Sequence, residues 1–230
     1  TAEVDGSHAG HGPDFVATVA EGWWAAKSAL DALTIRYDTA SDAPGPWLEA
    51  AVRSALDKDG EVVRDDGDVE DGDVGGGGAA RLKVSYSLPF LAHACLEPMT
   101  ATARLADGRC EIWAPTQSAS IANWAVARAL DIAESDVIIH PTLLGGGFGR
   151  KVEKDACVQA ALIARAAGRP VQLIWSREED LGTDRFRPPV HARMRGVLSA
   201  DKTVAAWDSR IAVPALNNNF SKRNMPAMAS

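Results

Sequence analysis

Apolar and polar positions recur along this chain at two periods, and the switches between them predict its elements. Residues 15–20 read as a strand, 21–33 as a helix with Trp24, Ser28 and Asp31 along one side, and 34–38 as a half-buried strand. With the polar opening at 1–13, this β-α-β piece predicts that residues 1–40 are the tail of a preceding α/β domain. A Ser/Asp/Pro/Gly linker follows at 39–46, then helical spacing at 47–56, then an acidic, glycine-rich stretch at 60–78. Residues 41–79 are therefore expected to connect, and the 60–78 stretch to be mobile, since it cannot bury enough apolar surface to offset ordering.

From residue 80 the pattern is mainly that of strands. Residues 81–86 alternate. The runs 101–105 and 110–113 flank Ala106-Asp107-Gly108-Arg109, a hairpin signal. A helix is expected over 120–130, a strand over 136–140, and a long helix from about 153 to 167, stopped by Gly168-Arg169-Pro170. A strand at 171–175 follows, then a charged turn at 177–180, strands at 191–198 and 203–211, and a frayed end from 217. Strands and helices mix without strict alternation, so the expected fold class is α+β.

Between the strand at 136–140 and the long helix lies Leu143-Leu144-Gly145-Gly146-Gly147-Phe148-Gly149-Arg150-Lys151. Glycines at a strand-to-helix turn permit positive φ, expected at Gly147 and Gly149, and let the backbone approach a bound group. Amides at the positive end of a following helix suit phosphate or another anion. Arg150 and Lys151 add to that bias, and Phe148 can cover one face of a flat ligand. The loop is not a P-loop, because Arg150 stands where a glycine must precede the lysine. Nor is it a dinucleotide fingerprint, because Arg150 takes the last glycine position. A tight left-handed turn around a core phenylalanine is the plainer alternative.

Composition narrows the picture. The 230 residues carry a formal net charge of −7, which argues against generic nucleic-acid binding. No apolar run approaches the ~18 residues of a membrane span. The opening lacks the pattern of a secretory leader, and the chain starts without Met, so a processed product or fragment is expected. Cys95, Cys110 and Cys157 are widely spaced with no C-x-x-C, which predicts buried small hydrophobes rather than a zinc or iron–sulfur site. His8 and His11 lie close together in the opening and are expected to be solvated. Asp65, Asp66, Asp68, Asp71 and Asp73 fail the calcium-loop pattern, because no acid closes it at the twelfth position.

Four segments carry a family resemblance. They are Ser87-Leu88-Pro89-Phe90-Leu91-Ala92-His93-Ala94-Cys95-Leu96-Glu97-Pro98-Met99, Trp113-Ala114-Pro115-Thr116-Gln117, Gly145-Gly146-Gly147-Phe148-Gly149-Arg150, and Trp175-Ser176-Arg177-Glu178-Glu179-Asp180. In this order and spacing they resemble the large, molybdopterin-binding subunit of the xanthine oxidase family, nearest the isoquinoline oxidoreductase and nicotinate/aldehyde dehydrogenase branch. The resemblance runs over about 15–211. It implies that residues 80–230 are a molybdopterin-binding domain, incomplete at its C-terminus. It also implies a molybdenum hydroxylase that oxidises an aldehyde or N-heteroaromatic substrate with water-derived oxygen. The cofactor is expected to be molybdopterin as the cytosine dinucleotide, with electrons passing to the iron–sulfur clusters of a small [2Fe-2S] subunit. The compartment, bacterial cytoplasm or periplasm, is left open.

Residue by residue, the resemblance implies that Gln117 brings an amide to the apical oxo group of molybdenum. It places Gly146, Gly147, Phe148 and Gly149 against metal and pterin, with Arg150 offering its fork to a phosphate or pterin oxygen, the alternative for Arg150 being a surface ion pair with Glu153 or Asp155. Phe148 and Arg187 are the expected substrate contacts. Glu97, with His93 and Pro98, is expected to set a turn rather than act as a base. Two departures stand out. Val152 replaces the glutamate of purine-oxidising relatives, which disfavours a purine. The family's general-base glutamate, carried in a later glycine-rich segment, is not among these 230 residues, since no glutamate follows Arg187. A non-catalytic scaffold of the same family, or an unrelated phosphate- or nucleotide-binding domain, are the competing readings.

Overall fold

A computed structural model of the chain describes residues 15–36, 46–66, 80–215 and 220–221. His8 and His11, the linker at 39–45, the end of the strand expected at 34–38, the stretch 67–78 and most of the tail from 217 lie outside the described residues. In chain order the elements are α1 (Trp23–Asp31), α2 (Pro46–Ala55), β1 (Ala80–Leu88), β2 (Thr100–Ala106), β3 (Arg109–Ala114), α3 (Ala119–Leu130) and β4 (Val137–Pro141). Then come α4 (Asp155–Ala167), β5 (Val171–Ile174), α5 (Arg177–Gly182), β6 (Val190–Leu198) and β7 (Val204–Ala212). The fold is α+β. No described helix is long and apolar enough to cross a membrane.

The chain forms two compact units, each assembled from separate stretches. One comprises Thr1–Asp38, Ala92–Arg185 and Asn217–Ser230; the other comprises Thr39–Leu91 and Phe186–Leu216. The first holds a four-stranded sheet in the order β4-β3-β2-β5. β2 and β3 form an antiparallel hairpin whose two loop residues, Asp107 and Gly108, have φ of 51° and 76°. Such a turn needs positive φ at both positions, which Asp and Gly tolerate best. β3 and β4 run parallel, joined through α3.

Period-two burial gives this sheet its core face. Ala101 and Ala103 of β2, and Cys110, Ile112 and Ala114 of β3, are all buried. α3 and α4 pack on them through Ala122, Ala125, Val126, Ala129, Ala156, Val158, Ala160 and Ala161. So many alanines let helix and sheet backbones approach closely, and a branched side chain such as Ile112 or Val126 contributes roughly 1.5–3 kcal/mol by burial. α4 ends where its sequence stop predicts, at Gly168 with φ 62°.

The second unit is the antiparallel sheet β1-β6-β7, with Val52 of α2 and Leu56 just after it packed onto Ala212. Arg210 Nη1 donates to the carbonyl of Leu56 at 3.0 Å.

Three local expectations are corrected. Residues 15–20 form no strand, and 34–36 have no regular structure, so the expected β-α-β tail reduces among the described residues to α1. Alternation makes a strand only where another strand is available to pair with it. Residues 177–180 are not a turn but the start of α5. Ser176 accepts from the N–H of Glu179, whose carboxylate accepts from the N–H of Ser176 at 2.7 Å. This reciprocal cap nucleates a helix where charge alone suggested exposure.

Candidate functional site

The glycine loop leaves β4 and turns beneath three residues with positive φ: Gly146 at 99°, Phe148 at 51° and Gly149 at 97°. Gly147, expected to share that conformation, does not; it is required by close approach instead. A Cβ on Gly147 would stand 2.6 Å from Oε1 of Gln117, and one on Gly145 would stand 2.5 Å from Cβ of Glu97. Both distances are too short for a real Cβ, so any side chain there displaces its neighbour. Phe148 holds a left-handed conformation that costs a non-glycine residue about 1–2 kcal/mol. The residue is 64% exposed, so it is not the core phenylalanine of the plainer reading.

The loop does not open directly into α4, contrary to the strand-to-helix turn that the sequence predicts. A 3₁₀ turn, Arg150–Val152, and then Glu153 and Lys154 intervene. Any attraction for anions must therefore come from the loop's own amides rather than from the end of a long helix.

Glu97 clamps the loop from one side. Its N–H donates to the carbonyl of Gly145, and its Oε2 accepts from the N–H of Gly145, both at 3.0 Å. The same Oε2 pairs with the ammonium of Lys151, whose side chain is 2% exposed. Cys95 lies underneath and donates its thiol hydrogen to the carbonyl of Gly147 at 3.3 Å. Burial raises the Cys95 pKa, against the opposing pull of Lys151, so the thiol stays a neutral donor.

Gln117 clamps the other side. Its backbone N–H donates to the carbonyl of Lys151 at 2.9 Å, and its Oε1 accepts from the N–H of Gly149 at 3.1 Å. Thr116 Oγ1 reinforces this by donating to the same Lys151 carbonyl at 3.2 Å. With Oε1 engaged, the side chain of Gln117 retains its two Nε2 donors. The N–H groups of Gly146 and Gly147 meet no acceptor among the described residues. A stretch of backbone with free donors at Gly146 and Gly147, no room for a Cβ at Gly145 or Gly147 and the exposed Phe148 beside it fits a flat, oxygen-bearing group such as molybdopterin.

Arg150 is placed differently from its expected position toward a ligand. It is 2% exposed and sits inside a balanced set of charges. Its Nη atoms lie 3.3 Å from Asp155 Oδ2. Its Nε lies 2.9 Å from Asp184 Oδ1, off the line of a hydrogen bond. Arg185 approaches the other oxygen of Asp155 at 3.6 Å, and Trp175 stacks beneath Arg150 at 5.6 Å. The fork is thus engaged by carboxylates of its own unit and holds the loop's end. Arg187 belongs to the other unit, where its backbone exchanges hydrogen bonds with Leu91 at 2.8 and 3.2 Å.

Two residues beside the loop carry little sequence signal. His93 is visible only as a member of one family segment, and Asp184 not at all. Asp184 Oδ2 accepts from the backbone N–H of His93, while Nδ1 of the ring lies 3.0 and 3.1 Å from the two carboxylate oxygens.

The family model for the molybdopterin cofactor-binding domain matches residues 41–221. The chain is 34% identical over 206 residues to the membrane-bound aldehyde dehydrogenase (pyrroloquinoline-quinone) of Gluconacetobacter polyoxogenes, covering 86% of this chain and 26% of that protein. It is 40% identical over 122 residues to the beta chain of isoquinoline 1-oxidoreductase of Brevundimonas diminuta, covering 52% and 16%. It is 31% identical over 150 residues to a nicotinate dehydrogenase subunit of Pseudomonas putida, covering 64% and 13%. The chain thus spans about a quarter or less of the length of these curated relatives. With a family model matched across most of its length, the chain belongs to the molybdopterin cofactor-binding domain family, the domain carried by the large subunits of the xanthine oxidase family.

Proposed function

We propose that this chain is the cofactor-binding part of a molybdenum hydroxylase that oxidises an aldehyde or an N-heteroaromatic compound with oxygen from water. The observation that carries this reading is the cradle in which Gln117 and Glu97 grip opposite sides of the Gly145–Gly149 loop. The cofactor, when bound, supplies the two-electron redox centre.

The chain's own residues bind and orient. The free N–H groups of Gly146 and Gly147 hold cofactor oxygens, and Gln117 Nε2 donates to an oxygen that gains charge during turnover. Phe148 covers one face of a flat substrate. Arg150 acts through the loop, as a positioning residue. Arg187 is a substrate contact in this reading. The finer assignments are the cytosine dinucleotide form of molybdopterin and a small [2Fe-2S] partner that takes up the electrons.

One relative is named for pyrroloquinoline quinone, so metal content is the deciding measurement. The protein that carries this sequence, produced in a molybdenum-replete host, is expected to hold molybdenum in stoichiometric amount. Gln117→Ala is expected to retain the fold while lowering molybdenum content or turnover at least about 10²-fold, the usual loss for a transition-state donor. Quinone without molybdenum would overturn the reading.

A further inference from the structure

The stretch from His93 to Met99 touches both the glycine loop and α5, and α5 holds it by its backbone. Arg177 Nη1 donates to the carbonyl of Cys95 at 2.7 Å, and Nη2 donates to the carbonyl of Leu96 at 2.6 Å. Asp180 shares a helix face with Arg177 and accepts from the N–H of Met99 at 3.3 Å. Asp184, just past the end of α5, accepts from the N–H of His93. All of these bonds end on main-chain atoms of the stretch, so they fix its course independently of its side chains.

The stretch in turn grips the loop. Leu96 and Glu97 share one peptide unit. Its carbonyl accepts from Arg177, and its N–H donates to the carbonyl of Gly145 at 3.0 Å. A trans peptide is planar with C=O and N–H on opposite sides, so fixing one end aims the other. A guanidinium on the carbonyl also polarises the unit and strengthens its N–H as a donor. Next to it, Cys95 donates its thiol to the carbonyl of Gly147 at 3.3 Å, and its own carbonyl is the second one that Arg177 holds. Ala94, immediately before, has φ of 48°, in the left-handed region that side chains rarely adopt. Asp184 holds His93 on one side of it and Arg177 holds Cys95 on the other, and such a backbone persists only where its surroundings fix it.

We propose that Arg177 is a positioning residue for the glycine loop: its fork holds the Cys95 and Leu96 carbonyls, aims the Glu97 N–H and the Cys95 thiol at Gly145 and Gly147, and so keeps the loop in shape to hold the cofactor. The inference rests on the cofactor-binding reading for what the loop holds, while the positioning rests on the contacts alone. The competing role for Arg177 is an ion pair with Asp180, at 3.1 Å, that only steadies α5. The two roles require different chemistry. An ion pair needs a cation of any kind. Two successive carbonyls need a rigid fork of donors, which a guanidinium supplies and an ammonium does not. The Arg177 side chain is 38% exposed and Asp180 is 6% exposed, so lysine can keep the charge beside Asp180 and lose only the fork.

Arg177→Lys and Arg177→Ala, made in the protein that carries this sequence, separate the roles through three readouts. Native-state amide exchange at Glu97 is expected to rise about tenfold or more in both variants, the worth of a charge-assisted hydrogen bond. Exchange at Gly149, which Gln117 holds from the other side, should stay as in the parent. Alkylation of Cys95 should accelerate by a similar factor, while Cys110 and Cys157 stay protected in the core. Molybdenum should leave the variants at least about tenfold faster than the parent, with Arg177→Lys melting close to the parent. Lysine restoring Glu97 exchange and Cys95 protection would reduce Arg177 to an ion-pair partner and end the proposal. So would a rise in exchange spread evenly over β2, β3 and α4, which marks loss of fold, or molybdenum held as firmly as in the parent after Glu97 and Cys95 have opened. A parent that takes up no molybdenum sinks the cofactor-binding reading instead, and the positioning of the loop is then decided by exchange and alkylation alone.

Discussion

Gly147 and Gln117 occupy one space between them: a Cβ on the glycine would stand 2.6 Å from the amide oxygen that holds Gly149. The absence of a side chain at one position thus fixes the side chain at the other. Gly149 is different, since it needs its φ of 97° but a Cβ there would meet only His93 Nε2, at an ordinary 3.9 Å.

Alanine at these two positions should therefore fail in different ways. Gly147→Ala is expected to push the Gln117 amide aside and remove molybdenum binding or turnover, since a displacement of about 1 Å can cost 10²-fold. Gly149→Ala is expected to cost about 1–2 kcal/mol of stability from the left-handed backbone, with the Gln117 amide left in place. Melting temperature, metal content and turnover for both variants check this. Equal loss of metal in the two would contradict it.

Glu97 should matter more to stability than its partly exposed carboxylate suggests. Removing it leaves Lys151 buried without a counter-charge and Gly145 N–H without an acceptor. Glu97→Ala is expected to cost about 2–4 kcal/mol, less than a fully enclosed pair because Glu97 is 34% exposed. Glu97→Gln keeps an acceptor for Gly145 and should recover about 1 kcal/mol of that loss. Urea unfolding of the two variants decides, and equal midpoints would sink the clamp.

The core thiols predict an alkaline limit. Burial pushes Cys110 up to about 11 and Cys157 up to about 12, from an ordinary 9.0. The unfolded thiols therefore lose their protons first. The stability these groups contribute is full below about 9 and drains as pH rises through 9 toward 11 and 12. Cys157→Ala is expected to flatten that decline relative to the parent. The three free, buried cysteines should also resist alkylation at pH 8 until denaturant is added.

Ser176 should anchor α5. It is 6% exposed and caps a helix of six residues whose Asp180 accepts from the N–H of Met99 at 3.3 Å. Ser176→Ala is expected to cost about 1 kcal/mol, at the upper part of the capping range because the site is buried. Thermal unfolding measures it. A change within error would mean that the contacts of Asp180 and Arg177 hold the helix alone.

The sequence by itself determined the local elements whose reasons are local. The period-two run of β2 and β3, the Asp107-Gly108 turn and the Gly168 stop of α4 each depend on side-chain alternation or permitted φ within a few residues. It also singled out the glycine loop and Gln117, because glycine clusters and a recurring set of segments are readable without coordinates. Only the tertiary structure decided what those residues do for one another. Arg150 and Lys151 look like ligand-binding cations in the sequence, with an Arg150–Asp155 ion pair as the alternative for the first. They are neutralised by Asp184, Asp155 and Glu97, from 34, 5 and 54 positions away. His93 is readable only as a member of one family segment, and its ring is fixed by Asp184, 91 positions later. The strand expected at 15–20 fails for the related reason that alternation specifies a face but not a partner. Burial, pairing and charge balance are properties of which segments meet, and no local pattern fixes that.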